Sequence, residues 1–298
     1  MTPPTPIGPQ RDILGECPLW HTQEQALYWV DIRAPALRRL DWSSQTLQTW
    51  PMPGLIGAIA FAEDGRLIIA LPDQIALFNR ATATISAIAA VANPFEGHRF
   101  NDGRVDRQGR FWIGSMHNIT RAPVGILYRL DPTNGLVPTL TNIQIPNSLA
   151  WSPNGTVMYF ADSLTHTIQT HTFDPTTGTP GPARPFATIA PPAFADGSAI
   201  DAEGFLWNAE FFGSRIVRYA PDGRIDRVIP MPTDRPTCCT FGGPDLETLF
   251  ITTTSQNLTE AERHAQPLAG ALFACRPGVK GLEEPICRLA HLPQEPRP

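Results

Sequence analysis

Four oxygen-bearing side chains occupy one position of a repeated strand pattern in this chain: Glu16, Asn101, Asn147 and Asp196. Two carboxylates and two carboxamides directed at one point would repel, and would be costly to bury, unless a cation lay among them. Oxygen donors favour hard divalent ions such as calcium, magnesium or manganese, although zinc and ferrous iron also accept them. We therefore predict one divalent cation site; the alternative is that these side chains only cap strand ends or bond loop backbone.

Six copies of a strand–turn–strand pattern must position these residues. The first apolar residue after each turn marks the copies: Leu27, Leu67, Phe111, Val157, Leu206 and Leu249. The intervals of 40–49 residues are typical of a β-propeller, in which each repeat is a four-stranded blade that packs against its neighbours. The pattern predicts an all-β fold, a six-bladed β-propeller.

The repeat also indicates which residues share the central channel. Each inner strand ends on an apolar residue, and the residue four places earlier is compared between repeats: Glu16, Gly57, Asn101, Asn147, Asp196 and Thr237. Side chains alternate along a strand with a period of two, so positions four apart lie on one face. We expect the four polar members of this set to meet at one mouth of the channel.

Composition supports a single domain of many short strands. The chain has 298 residues, with 32 prolines, 23 glycines and only 17% charged residues, which suits tight turns rather than long helices. Neither a linker nor a composition shift separates the repeats. We predict one propeller domain over residues 1–298, with the first dozen or so residues adding a strand that closes the last blade.

Charge and cysteine content exclude several classes of partner. The net charge is −5 and Lys280 is the only lysine, so no basic field is available for nucleic acid or anionic lipid. The five cysteines form no CxxC pair, and no segment has the length of apolar sequence that spans a membrane. We expect a cytoplasmic protein that is a monomer or a weak homo-oligomer, with a small molecule as its partner.

The third repeat adds candidates for contact with a substrate. Arg99 and Asn101 are one strand period apart, and a guanidinium offers donors suited to hydroxyl, carbonyl or carboxylate groups. A surface ion pair of Arg99 with Glu96 is the alternative. His117 follows the second strand and is a further candidate, with a merely solvated histidine as its alternative. Alternation places Asp102 on the opposite face, where it would order the loop.

Several segments together resemble a known family. They are LGECPLW (14–20), RFNDGRVD (99–106), GRFWIGSM (109–116), PNSLAWS (146–152) and DGSAIDAEGFLW (196–207). In this order they resemble the SMP-30/gluconolactonase/regucalcin-like (LRE) family. The resemblance implies a six-bladed propeller that binds one divalent metal and hydrolyses sugar lactones. It also implies that Glu16, Asn147 and Asp196 bind the metal.

The resemblance further implies that Arg99 and Asn101 contact the substrate. Mammalian-type members of the family carry a glutamate near the position of His117. With a histidine at this position, the chain resembles bacterial pentono- and hexonolactonases. We therefore expect metal-dependent hydrolysis of an aldonolactone, in which either Asp196 or the cation itself activates the attacking water. The alternatives are a calcium-dependent phosphotriesterase or arylesterase, and a non-catalytic propeller that regulates through a bound metal or docks a protein.

Overall fold

Six antiparallel sheets of four strands each build the protein. The computed structural model describes residues 2–292 and confirms the predicted all-β, six-bladed propeller. Residues 1 and 293–298 of the expected domain lie outside the described residues. Among residues 2–292, no helix combines the length and the apolar character that crossing a bilayer requires.

The first three sheets follow one another along the chain. Sheet 1 contains β2 (Gly15–His21), β3 (Ala26–Asp31), β4 (Ala36–Asp41) and β5 (Leu47–Pro51). Sheet 2 contains β6 (Ala58–Phe61), β7 (Leu67–Ala70), β8 (Gln74–Asn79) and β9 (Thr84–Ala90). Sheet 3 contains β10 (His98–Val105), β11 (Phe111–His117), β12 (Gly125–Asp131) and β13 (Gly135–Ile143).

The remaining sheets repeat this order, and the last one joins the two ends of the chain. Sheet 4 contains β14 (Pro146–Trp151), β15 (Val157–Asp162), β16 (Thr167–Asp174) and β17 (Thr179–Thr188). Sheet 5 contains β18 (Phe194–Ile200), β19 (Leu206–Phe211), β20 (Arg215–Tyr219) and β21 (Ile225–Pro230). Sheet 6 contains β22 (Pro236–Gly242), β23 (Thr248–Thr253), β24 (Leu272–Cys275) and β1 (Thr5–Ile7), which pairs with β24.

Helical structure is confined to short segments. Helix α1 (Glu260–Ala265) begins with a capping box, in which the Thr259 side chain and Glu262 satisfy each other's backbone N–H groups. Two 3-10 turns lie at Ser163–Thr165 and Leu289–His291. None of these elements interrupts the ring of sheets.

Aromatic side chains fill the space between neighbouring sheets. Trp20 of sheet 1 stacks on Phe250 of sheet 6, with ring centroids 5.6 Å apart. Trp112 of sheet 3 packs on Trp151 of sheet 4 at 5.7 Å. The inner strands β2, β6, β10, β14, β18 and β22 contact one another in that order, and β22 returns to β2. The ring therefore closes around a channel lined by these strands.

Three of the sheets share a buried Asp–Trp–Arg cluster that the sequence analysis missed. In each cluster an Asp accepts hydrogen bonds from a Trp indole and an Arg guanidinium: Asp12 with Trp29 and Arg38, Asp106 with Trp112 and Arg110, and Asp201 with Trp207 and Arg218. The three carboxylates are at most 2% exposed. Burial of these charges is tolerable because each is paired and hydrogen-bonded.

We predict that Asp201→Ala destabilises the fold. The substitution removes the partner of the Trp207 indole (2.8 Å) and one carboxylate from the buried Arg218. Since Arg218 retains Glu203 and Asp226, the expected loss is about 3 kcal/mol of the free energy of unfolding. Urea denaturation measures it, with Asp222→Ala in an exposed turn as the control. Equal midpoints for the two variants would contradict the role assigned to this cluster.

The segment after β24 closes one end of the channel. Gly281 donates its N–H to Leu246 O (2.8 Å) of sheet 6, and Cys287 donates to Phe61 O (2.8 Å) of sheet 2. Between these anchors, Glu284 pairs with Arg104 of the inner strand β10 at 3.3 Å. This segment covers the ends of the inner strands at residues such as Trp151 and Ile200. The channel is therefore accessible from the opposite end.

Candidate functional site

The predicted ligands lie near the start of the inner strands, where each of these strands has a β-bulge. Pairing with the second strand shifts register between Glu16 and Leu19, Phe100 and Gly103, Asn147 and Ala150, and Ala195 and Ser198. Cys17 and Ser148 have positive φ values of 48° and 58° within these bulges. A bulge redirects neighbouring side chains. The period-two argument was therefore incomplete, because strict alternation breaks at these positions.

A cavity of about 370 Å³ opens at this end of the channel. Its polar wall contains Glu16, Arg99, Asn101, Arg121, Asn147, Asp196, Arg235, Gln256 and Asn257. Its apolar wall contains Leu14, Ile145, Leu164, Phe194, Phe211 and Phe212. The volume lies in the range of small-molecule sites. All four residues singled out by the repeat contribute to this one cavity.

Two carboxyl groups, those of Glu16 and Asp196, meet in the cavity, close enough for each to affect the pKa of the other. Asp196 is 5% exposed, and Glu16 keeps partial exposure to the cavity. Burial raises the pKa of Glu16, and the Asp102 carboxylate raises it further. Burial also raises the pKa of Asp196, with the Glu16 carboxylate as the next cause. Two such acids ionise together only when positive charge lies close to both.

The amide groups of Asn101 and Asn147 are held in one orientation by hydrogen bonds. Asn101 Nδ2 donates to Asn147 Oδ1 (3.0 Å) and to Pro146 O (2.9 Å). Asn147 Nδ2 donates to Ser163 Oγ (2.8 Å), which in turn donates to Ala195 O (2.7 Å). Because an amide oxygen has two lone pairs, Asn147 Oδ1 keeps one acceptor position after its bond to Asn101.

The guanidinium of Arg99 lies beside these groups and is 3% exposed. Its Nη1 donates to Asn101 Oδ1 (2.7 Å) and Phe100 O (2.9 Å), and its Nε donates to Asn118 Oδ1 (3.0 Å). Burial lowers the pKa of Arg99 to about 9, and the guanidinium groups of Arg121 and Arg33 are the next causes. The alternative ion pair with Glu96 is not found among the described residues.

The donor set fits a divalent cation of the hard, oxygen-binding kind. Glu16 and Asp196 supply charge, and Asn147 supplies a neutral oxygen that is already oriented. Within residues 2–292, no three His, Cys, Asp or Glu side chains are grouped so that they could hold a metal ion. A cation at this position therefore depends on an amide oxygen as well as on the two carboxylates.

Comparison with known proteins identifies the family. The model of the SMP-30/Gluconolactonase/LRE-like region matches residues 14–255, which span all six inner strands. The chain belongs to the SMP-30/gluconolactonase/LRE-like family. It is 36% identical over 279 residues to a 6-deoxy-6-sulfogluconolactonase from Pseudomonas putida, an alignment that covers 93% of this chain and 96% of the relative.

Two further similarities extend over almost the whole chain of this SMP-30 family member. An L-arabinolactonase from Azospirillum brasilense is 34% identical over 283 residues, covering 93% of each chain. The crystal structure of a calcium-binding protein, regucalcin, from Agrobacterium tumefaciens superposes with a TM-score of 0.90 at 30% identity. That superposition covers 95% of this chain and 97% of the other.

His117, the third predicted substrate contact, is not among the residues that line the cavity. Its ring stacks on Phe95 with centroids 5.6 Å apart. Its Nδ1 accepts hydrogen bonds from the backbone N–H groups of Ile119 and Thr120, both at 3.2 Å. In this family member His117 thus holds the turn that leads to Arg121, and direct contact with a substrate stays a prediction.

Asp102 is an electrostatic neighbour of the site that the sequence analysis did not include, although it does not line the cavity. It lies in the bulge between Phe100 and Gly103, and its Oδ2 accepts a hydrogen bond from Leu149 N (2.9 Å) on the next inner strand. Its carboxylate is close enough to raise the pKa of both Glu16 and Asp196. The Asn-Asp-Gly sequence of residues 101–103 was the available signal, since such residues are common at irregular strand positions.

Proposed function

We propose that this protein hydrolyses a sugar-acid lactone to the free aldonic acid with the aid of one divalent cation. Its family and its lactonase relatives place it among the gluconolactonase-like hydrolases. The observation that carries the proposal is the neighbouring pair of carboxyl groups, Glu16 and Asp196, in a cavity of about 370 Å³. That pair concentrates potential negative charge where a small polar substrate can reach it.

Glu16, Asn147 and Asp196 are the residues that would hold the cation. When bound, a divalent ion supplies Lewis acidity, which polarises a lactone carbonyl and stabilises negative charge on its oxygen. The Cys17 N–H donates to Glu16 Oε2 at 3.1 Å and so orients the Glu16 carboxylate. Ser163 does the same for the Asn147 amide.

Asp196 is the residue we assign to the transfer of the proton. Within residues 2–292 the Asp196 carboxyl accepts no hydrogen bond from a backbone N–H, whereas the Glu16 carboxyl accepts one from Cys17 N. One oxygen of Asp196 can therefore accept a proton from the attacking water. Water oxygen bonds to the acyl carbon, the acyl C–O bond of the ring breaks, and the proton passes to the departing alkoxide oxygen.

Arg99 and Asn101 are proposed to orient the substrate above this centre. Both line the cavity, and the hydrogen bond between them fixes their relative position. Arg99 Nη2 makes no hydrogen bond within the described residues, so it can donate to a hydroxyl or to the new carboxylate. A guanidinium that is held in place loses little entropy when a ligand binds.

A panel of five- and six-carbon aldonolactones, followed with a pH indicator, tests the proposal. We expect purified protein to release acid from at least one lactone faster than spontaneous opening. Chelator should abolish the excess rate, and one of calcium, magnesium, manganese, zinc or ferrous iron should restore it. Acid release from no lactone with any of these ions would overturn the proposal. Metal binding without turnover would instead favour a metal-binding regulator.

An arylesterase or calcium-dependent phosphotriesterase is the second candidate, because one wall of the cavity is aromatic. Phe194 and Phe211 stack with centroids 5.1 Å apart, and Phe212 is 39% exposed beside them. Such a wall suits an aryl leaving group, although it also packs against the carbon face of a sugar ring. Turnover of 4-nitrophenyl acetate or an aryl phosphotriester above that of every lactone would favour this candidate.

A further inference from the structure

Three guanidinium groups, those of Arg33, Arg99 and Arg121, form an arginine cluster beside the cavity. Asn118 Oδ1 accepts from both Arg33 Nη2 and Arg99 Nε, at 3.0 Å each, so one neutral amide oxygen holds two cations side by side. Arg121 lines the cavity together with Arg99. Like charges at this separation repel, and nearby Arg33 contributes to the lowered pKa of Arg121 after burial itself.

No member of the cluster has an acidic partner, unlike the other buried arginines among the described residues. The buried arginines are Arg38, Arg99, Arg104, Arg218 and Arg235. Four of them pair with carboxylates: Arg38 with Asp12, Arg104 with Glu284, Arg218 with Asp201, and Arg235 with Asp234. Within residues 2–292, no member of the arginine cluster makes an ion pair. Arg33 and Arg121 therefore lack a carboxylate that would offset their mutual repulsion, and an anionic ligand could supply that charge.

The arginines of the cluster have different charged neighbours. For Arg99 these are the carboxylates of Glu16 and Asp196 as well as the guanidinium groups of Arg121 and Arg33. For Arg121, the charged group that lowers the pKa is Arg33. A ligand that binds at the carboxyl pair and extends past Arg99 would come to Arg121, which lines the same cavity, and to Arg33 next to the cavity.

Hydrogen-bond donors remain available at that end. The side chain of Arg121 makes one contact among the described residues, from Nη1 to Met116 Sδ at 3.7 Å, and a thioether is a weak acceptor. Arg33 donates from Nε and Nη2 but not from Nη1. Paired guanidinium groups with free donors are suited to the planar or tetrahedral oxygens of carboxylate, phosphate and sulfonate groups.

We propose that Arg33 and Arg121 form a subsite for an anionic group, so that the substrate is a sugar lactone with an acidic substituent remote from its carbonyl. The inference rests on the proposed lactonase function and deepens it by naming the substrate class. Sulfonate, phosphate and carboxylate share the chemistry that this subsite recognises. Arg99 would lie between the subsite and the reacting carbonyl, within reach of the sugar hydroxyls.

Substrate preference measured within each protein tests the subsite. The panel compares neutral gluconolactone with gluconolactones that carry phosphate or sulfonate at carbon 6 and with glucarolactone, which carries a carboxylate there. For wild-type protein we expect kcat/KM on at least one acidic lactone to exceed that on the neutral one by about tenfold or more. Which of the three acids is preferred identifies the anionic group.

Three variants and a control assign that preference to the cluster. Arg121→Gln and Arg33→Gln should each lower the ratio of acidic to neutral kcat/KM roughly tenfold, Arg121→Lys should retain part of it, and exposed Arg184→Gln should leave it unchanged. Because the ratio is taken within one preparation, a misfolded fraction does not alter it. A wild-type ratio near one, or ratios unchanged in both Gln variants, would overturn the subsite while leaving the lactonase proposal standing. Absence of turnover on every lactone would overturn both.

Discussion

Replacement of Asp196 by asparagine should lower kcat for lactone opening by about three orders of magnitude. The substitution preserves the size of the side chain and one oxygen, but it removes the group that accepts the proton of the attacking water. Positioned proton acceptors contribute about 10²- to 10⁴-fold to a rate, and loss of a charge beside the cation adds to the effect. Steady-state rates at saturating lactone and metal measure the change.

The control for this prediction is Asp222→Asn, which makes the same chemical change in an exposed outer turn. It should retain wild-type kcat. The asparagine variant should also keep the thermal unfolding midpoint of the parent or exceed it, because a buried carboxyl with a raised pKa is replaced by a neutral group. A kcat within tenfold of wild type for Asp196→Asn would remove Asp196 from the chemistry.

The second large effect is expected for Glu16→Gln, which should weaken activation by the metal on the order of a hundredfold. One of the two carboxylates in the donor set becomes neutral, and affinity for hard cations depends strongly on the number of charged ligands. The Cys17 N–H can still donate to the amide oxygen, so the side chain should keep its orientation. The measured quantity is the metal concentration that gives half-maximal lactone opening.

Glu260→Gln, at the exposed start of helix α1, is the matched control and should leave the activation constant unchanged. At high metal concentration the Glu16 variant should recover much of its rate, since Asp196 remains. An activation constant equal to that of wild type would mean that Glu16 does not bind the cation, and the donor set would have to be reassigned.

The repeat made the fold and the shared location of four polar residues predictable. Leu27, Leu67 and their equivalents recur at a blade-sized interval, and a closed ring places equivalent positions together whatever their separation in sequence. Glu16 and Asp196 lie in the first and fifth sheets, yet their carboxyl groups line one cavity. The repeat period alone predicts this shared location, because the position of a strand around the ring does not depend on the local geometry within the strand.

The repeat pattern did not predict local irregularities within the strands. Asp102 affects the pKa of Glu16 from within a bulge, where the alternation used to assign it to the other face is interrupted. Bulges depend on pairing between strands, which a single strand sequence does not specify. The arginine cluster was missed because Arg33 and Arg121 lie in loops of different sheets and not at a repeated position. Arg33 meets Arg99 through Asn118, and Arg121 interacts with Arg33 electrostatically.

Equilibrium binding of a divalent cation to chelator-treated protein tests the central claim most directly. The account predicts one ion per chain in wild type, with calcium, magnesium, manganese, zinc and ferrous iron titrated separately, and loss of that ion in Glu16→Gln/Asp196→Asn. The double variant should still fold, as judged by circular dichroism. Absence of binding in wild type, or equal affinity and stoichiometry in the folded double variant, would contradict it.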